Sequence, residues 1–305
     1  MFRVGNTTRR ECLAGLVASA AASSLGEVEQ PASSERVSGR RIPLKIGHRI
    51  ASVGMLGDIN VFRPARQIPG LMGIELQATG GEPSLRDWDT VRRYKHEADR
   101  WGMMIPSLAG VWDRGVNFSS PRARDNLNQS IQAGEILGVR TVLIAAYGED
   151  VPDLSQESSY GSAVEVLREV ASRAADASII LGLETSLSPA DHLKLVNWVG
   201  HRSVQVYYDV LNMAEYGHTR EAVPGISLLG KSHICQVHVK NDGFLIEQPR
   251  EINWSTALEE FNKIGYEGWY VFETHHRNPA DLRQSTKSTI INIAFLRKHC
   301  RMPLG

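Results

Sequence analysis

Four side chains in the second half of the chain stand at the same place relative to a short apolar run. Ile179-Ile180-Leu181-Gly182-Leu183 ends in Glu184, and Val204-Gln205-Val206-Tyr207-Tyr208 ends in Asp209. Ile234-Cys235-Gln236-Val237 ends in His238, and Trp269-Tyr270-Val271-Phe272 ends in Glu273. A carboxylate beside an apolar run is costly to bury without a partner. Three converging carboxylates raise one another's pKa. One divalent cation relieves both problems. Three oxygen-donor residues and one imidazole suit Mn²⁺, Mg²⁺, Co²⁺ or Zn²⁺. With no thiolate and room for water or substrate oxygens, the set favours Mn²⁺ or another octahedral ion. Singly, each residue has an ordinary explanation: Glu184 as a salt-bridge partner or helix cap, His238 as a satisfied core histidine. Their repetition in four consecutive units is what points to one metal site.

Those units belong to a longer alternation. Apolar runs at Leu44 to Gly47, Leu71 to Leu76, Met103 to Leu108 and Thr141 to Ala146 precede the four already named. The intervening stretches carry helical faces, such as Leu85, Trp88, Val91, Ala98 and Trp101, or Val164, Leu167, Ala171 and Ala174, or Trp254, Ala257, Leu258, Phe261 and Ile264. Ser120-Pro121, Ser188-Pro189 and Asn278-Pro279 read as helix starts, with the polar residue capping and proline in the first turn. Gly102, Gly138 and Gly265 read as helix ends. Alternating strands and helices predict an α/β protein with a parallel sheet. After the first strand comes His48-Arg49-Ile50-Ala51-Ser52, with no glycine-rich phosphate loop. That disfavours a doubly wound open sheet and favours a single-domain (β/α)8 TIM barrel, in which strand C-termini face the active site.

The segments Glu184-Thr185, Tyr208-Asp209-Val210, His238-Val239-Lys240 and Phe272-Glu273-Thr274 resemble the four metal-ligand segments of the xylose isomerase-like sugar isomerase and epimerase superfamily. The group includes tagatose 3-epimerase-type enzymes, inosose dehydratase and endonuclease IV. The resemblance covers roughly Ile42 to Arg297 and is strongest from Gly182 onward, on the epimerase and isomerase branch. It implies that Glu184, Asp209, His238 and Glu273 bind one metal ion, and that Glu184 and Glu273 flank a sugar or polyol as acid and base. Asn212 stands three residues after Asp209, where the family often has a substrate-touching histidine; this departure leaves the sugar undefined. The chemistry implied is removal of a proton next to a carbonyl, a metal-stabilised enediolate, and return of the proton.

Further candidates line the expected mouth. His48 ends the first strand, as a hydroxyl contact or as a packing histidine. Glu75 and Gln77 alternate with Ile74 and Leu76 and therefore face the barrel interior, for substrate contact, ligand support or a buried hydrogen-bond network. Lys240, in Lys240-Asn241-Asp242-Gly243, is placed to bind substrate or to orient Glu273, or else is a solvated loop lysine. His275, His276, Trp112 and Phe244 fall in mouth loops, where aromatic rings stack on sugars or simply cover the barrel top.

The chain has 305 residues, and one barrel of roughly 250 residues plus loops accounts for most of it. Lys plus Arg equals Asp plus Glu, 34 against 34, which gives no electrostatic case for nucleic acid or an anionic membrane. Cys12, Cys235 and Cys300 form no CxxC, disfavouring a disulfide framework or a thiolate zinc site. Thr8-Arg9-Arg10, the small apolar stretch Cys12 to Ala22 and the Ala-x-Ala sites read as a twin-arginine-like export signal over residues 1–25. Residues 26–41 read as a linker and 42–305 as the barrel domain. The expected location is periplasmic or otherwise exported, or cytoplasmic if the signal is only a tail; a homo-oligomer is left open. Three rival functions remain beside an isomerase or epimerase: a dehydratase or lyase on a keto-sugar, a non-catalytic carbohydrate-binding barrel, and a nuclease. The nuclease is disfavoured by the zero net charge.

Overall fold

In a computed structural model, described over residues 43–274 and 281–300, every one of the eight apolar runs becomes a strand. The strands are β1 (Lys45–Arg49), β2 (Gly73–Gln77), β3 (Ser107–Ala109), β4 (Thr141–Ala146), β5 (Ile180–Thr185), β6 (Val204–Asp209), β7 (Ile234–Val239) and β8 (Trp269–Phe272). They pair in parallel in sequence order, and β8 closes on β1. The principal surrounding helices are α1 (Phe62–Arg66), α2 (Trp88–Trp101), α3 (Ala123–Leu137), α4 (Glu157–Asp176), α5 (Pro189–Val199), α6 (Val210–Glu215), α7 (Thr219–Ala222), α8 (Pro224–His233), α9 (Trp254–Lys263) and α10 (Leu282–His299). The expected single-domain (β/α)8 TIM barrel is therefore the observed one.

Residues such as Ile46, Ile74, Leu76, Val142, Ile144, Leu181 and Val206 pack outward from the strands against the helices, forming the main core. A second, smaller cluster of Ala109, Leu143 and Tyr207 is joined by Ala145 and Cys235. It comes from several strands and fills the barrel interior.

Two of the strands that differ from their apolar runs bear on the site. Met104 makes a lone bridge to Gly73, but Pro106 has no N–H to give, and the regular strand β3 begins only at Ser107. Strand β1 runs through to Arg49, so Arg49 and not His48 is its last residue.

The helix starts divide similarly. Ser188 caps α5, accepting from the Asp191 amide at 3.1 Å, with Pro189 in the first turn. Ser120 does not cap a helix; its hydroxyl closes a turn with Asn117, and α3 begins at Ala123 with no side-chain cap. Asn278-Pro279 lies outside the described residues, and Asp281 caps α10. Gly102 and Gly138 take the left-handed conformation that ends α2 and α3, and Gly265 does so one residue after the C-cap of α9. The expected export signal (residues 1–25), the expected linker (26–41) and the loop histidines His275 and His276 lie outside the described residues. Among the described residues, no helix is long and apolar enough to cross a membrane.

One register shift matters for everything above the core. Val206 pairs with Ile234, but Tyr207 pairs with Gln236 and Asp209 with His238. The extra residue, Cys235, forms a bulge in β7. Without it Asp209 would stand beside Val237, and His238 would leave the layer.

Gly182 makes room for this arrangement. A Cβ added there would lie 2.8 Å from Cys235 Sγ and 3.1 Å from Tyr207 Cβ. Gly182→Val overpacks the interior and is expected to lower unfolding free energy by about 1–3 kcal/mol, measured by urea denaturation against the native chain.

Candidate metal centre at the barrel mouth

Strands β5, β6 and β7 carry Glu184, Asp209 and His238 at or next to their C-terminal ends, and Glu273 directly follows β8. All four are buried. Each offers a ligand atom, and these atoms lie within 4.8 Å of one another. The imidazole Nδ1 of His238 faces Glu184 Oε1 at 3.0 Å and Glu273 Oε2 at 3.4 Å. Asp209 also caps α6: its Oδ1 accepts from the Leu211 and Asn212 amides at 2.9 and 3.0 Å. That pair of hydrogen bonds holds the carboxylate in one orientation and leaves Oδ2 aimed into the cluster.

Fixed cations surround the carboxylates. Lys240 Nζ lies 3.2 Å from Asp209 Oδ2 and 3.3 Å from Glu273 Oε2, and donates to Asn212 Oδ1 at 2.6 Å. Arg49 pairs with the other oxygen of Glu273 and lies 3.7 Å from Glu75 Oε1. Asn212 completes the wall by donating to Glu184 Oε1 at 3.1 Å and to the Tyr147 hydroxyl at 3.3 Å.

Electrostatics follow from this crowding. Burial pushes the Glu184 carboxyl up, but His238, Lys240 and Arg49 outweigh it and hold it at about 2. Burial lowers His238, while Glu184 and Glu75 raise it further, to about 9. Asp209 is raised, first by burial and then by the charge of Glu184, against the pull of Lys240. Burial and the neighbouring charges of Glu184 and Asp209 push the Tyr147 hydroxyl well above its ordinary value.

The donor set fits a divalent ion. Glu75, Glu184, Asp209 and Glu273 bring four negative charges, and Arg49 and Lys240 return two. A divalent cation balances the remainder while leaving His238 neutral, the form in which imidazole ligates metals. Asp209 Oδ2 is buried and meets the Lys240 ammonium as an ion pair but accepts no hydrogen bond of regular geometry, so it keeps lone-pair capacity for an ion. Three oxygen donors and one nitrogen suit several divalent ions.

The other sequence candidates are placed as follows. Asn212 and Lys240 reach the cluster. His48 does not open onto it: it is fully buried, its Nε2 lies 3.3 Å from Thr274 Oγ1, and its ring packs on Phe272. Strand alternation explains this, because Arg49 takes the inward position and stands beside Glu75 in register. Glu75 faces inward as expected, but it lies in a buried network beneath His238 and not at a substrate-facing position. Gln77 turns to the Thr79 carbonyl. Trp112 donates to the Ala145 carbonyl and packs edge-on against Phe118. Arg49 and Tyr147 were not singled out from sequence. The inward alternation of β1 was a usable signal for Arg49; Tyr147, just past β4, had none.

A parallel eight-stranded barrel with polar side chains converging at strand C-termini is the architecture of barrel enzymes. The profile of the family described as Xylose isomerase-like TIM barrel matches residues 62–299, and the chain belongs to that family. No curated protein matches the chain in sequence. Its fold is similar to that of 3-keto-D-glucoside 4-epimerase from E. coli in its apo form (TM-score 0.66, 14% identity, covering 84% of this chain and 99% of that one). It is similar also to D-allulose 3-epimerase from Methylomonas sp. in complex with D-allulose (TM-score 0.66, 14% identity, 86% and 99% covered). A third similar structure is the IolI protein with a bound zinc atom (TM-score 0.64, 15% identity, 85% and 100% covered).

The corner after Glu184 carries a buried histidine outside the cluster. His192 Nδ1 donates to the Ser188 carbonyl at 3.1 Å, and the Thr185 hydroxyl lies 2.9 Å from Nε2. Burial holds its pKa down at about 4 against an ordinary 6.5. As pH falls below 6.5 the unfolded chain takes up a proton that folded His192 refuses. Stability is thus present above pH 6.5 and is lost toward pH 4, by roughly 3 kcal/mol for this group. Urea melts across that window are expected to be steeper in pH for the native chain than for His192→Gln, by about one proton.

Proposed function

We propose that this protein is a divalent-metal-dependent isomerase or epimerase of a sugar or polyol. The observation that carries the reading is the convergence of Glu184, Asp209, His238 and Glu273 on one point at the barrel mouth. The family membership and the sugar epimerases among its structural neighbours support it. Glu184, Asp209, His238 and Glu273 would hold the ion. A bound divalent ion, Mn²⁺ in preference and Mg²⁺, Co²⁺ or Zn²⁺ as alternatives, supplies Lewis acidity toward a carbonyl oxygen.

The chain's own groups supply the proton chemistry. Glu184, at the end of β5 within the cluster, is placed to exchange a proton with the carbon beside a carbonyl. Glu273, directly after β8, is its partner: one of the two glutamates takes the proton and the other returns it. Lys240 Nζ, 3.3 Å from Glu273 Oε2, is a proton donor within reach of that oxygen. Asn212 and Lys240 stand beside these carboxylates, and a substrate hydroxyl bound there would replace one of their present partners. The order of the two glutamates follows the substrate's stereochemistry.

Proton–deuteron exchange in D₂O over a panel of ketoses and keto-sugars, with metal quantified in the same protein, tests the reading. Solvent deuterium is expected to enter one substrate carbon. Glu184→Gln and Glu273→Gln are each expected to slow exchange by about 10²–10⁴-fold. Unchanged exchange in both variants removes the acid/base assignment. An unsaturated product in place of a mass-neutral one moves the activity to a dehydratase or lyase.

A further inference from the structure

Beneath the four converging side chains lies another carboxylate that takes no part in the proton chemistry above. Glu75, on β2, is fully buried in the barrel interior. An apolar side chain would be cheaper there, since a buried charge is tolerated only when paired and hydrogen-bonded. The pairing is complete. Ser107 Oγ and the Tyr207 hydroxyl both donate to Glu75 Oε2, at 2.6 and 2.7 Å. Gln236 Nε2 donates to both of those hydroxyls in turn, at 2.7 and 2.9 Å. Glu75 Oε1 faces His238 Nε2 at 3.1 Å.

The direction of every bond in this network is settled by counting protons. The Gln236 amide can only donate at Nε2, so the Ser107 and Tyr207 oxygens accept from it. Each hydroxyl proton is then left for Glu75 Oε2. The carboxylate receives two protons on one oxygen and lies beside Arg49 on the other. It has none to give. His238 Nε2 is therefore the donor, and the proton on that nitrogen is fixed. The Tyr207 ring, with its centroid 4.4 Å from that of His238, holds the imidazole from one side.

We infer that Glu75 is a positioning residue for the metal centre: by accepting the Nε2–H bond of His238 it presents the Nδ1 lone pair to the ion between Glu184, Asp209 and Glu273. This rests on the metal reading proposed above. A ligating histidine whose second nitrogen donates to a carboxylate has its ring orientation and tautomer set, and loss of such a partner typically weakens metal affinity by about 10–100-fold. In Glu75→Gln the charge that polarises the Nε2–H bond is lost, and with Gln236 turned as it is the amide cannot satisfy the network. Turned one way, its NH₂ meets two hydroxyls that are already donors; turned the other, it meets Nε2 and moves the histidine proton to Nδ1.

The test uses Zn²⁺ as probe on the full chain. Zn²⁺ affinity is measured by competition with a chromophoric chelator, and ¹⁵N-histidine spectra are recorded on the zinc-loaded protein, with His238→Asn to assign the ring. The native chain is expected to show a protonated Nε2 and a metal-bearing Nδ1. Glu75→Gln, with unchanged circular dichroism, is expected to bind Zn²⁺ about 10–100-fold more weakly, and Glu75→Asp to recover part of the loss. Equal Zn²⁺ affinity in Glu75→Gln and the native chain overturns the inference while leaving the metal site standing. A native spectrum with the proton on Nδ1 overturns it too, and decides the matter if Glu75→Gln does not fold. No Zn²⁺ binding by the native chain overturns the metal reading itself.

Discussion

Four carboxylates packed into the buried mouth of one barrel are the constraint around which the rest is arranged. Glu75, Glu184, Asp209 and Glu273 repel one another, and burial removes the water that would screen them. Nearly every polar group nearby answers to that repulsion. Lys240 bridges Asp209 and Glu273, Arg49 holds the far side of Glu273, and His238 stands between Glu184 and Glu75. Removing one partner from such a set leaves a buried charge uncompensated, which is far more damaging than removing the whole set together.

The same crowding makes the site rigid before anything binds. Asp209 is tied down by two backbone amides, Glu184 by Asn212 and His238, and Glu75 by three side-chain donors. Preorganised groups cost no reorganisation when charge develops on a substrate, and electrostatic catalysis depends on this. The barrel contributes by delivering each group from a different strand, so that no single loop movement displaces more than one of them. The bulge at Cys235 shows how fine the tolerance is: one extra residue in β7 decides whether Asp209 meets His238 or an aliphatic neighbour.

The two layers of the mouth divide the work. The upper layer, with Glu184, Asp209, Glu273, Lys240 and Asn212, stands at or just beyond the C-terminal ends of the strands. The lower layer, with Glu75, Ser107, Tyr207 and Gln236, is sealed and touches only protein. Under the function proposed above, the upper layer carries the proton chemistry, while the lower layer holds His238 through the bond from its Nε2 to Glu75.

Sequence alone determined the strands and the four groups at their ends. Apolar runs that stop abruptly at an ionisable residue carry that information locally, and β4 and β8 begin and end where their runs do. Alternation also turned Glu75 inward, but it could not say at what depth. Arg49 and the Ser107–Tyr207–Gln236 network were not legible, because their meaning lies in partners far along the chain. Tyr207 meets Glu75 across 132 residues and Gln236 meets Ser107 across 129. Only closure of the barrel, with its strand stagger and the single bulge in β7, brings those groups into contact. Hydrogen-bond direction and charge balance are properties of that contact, and no periodicity in the chain encodes them.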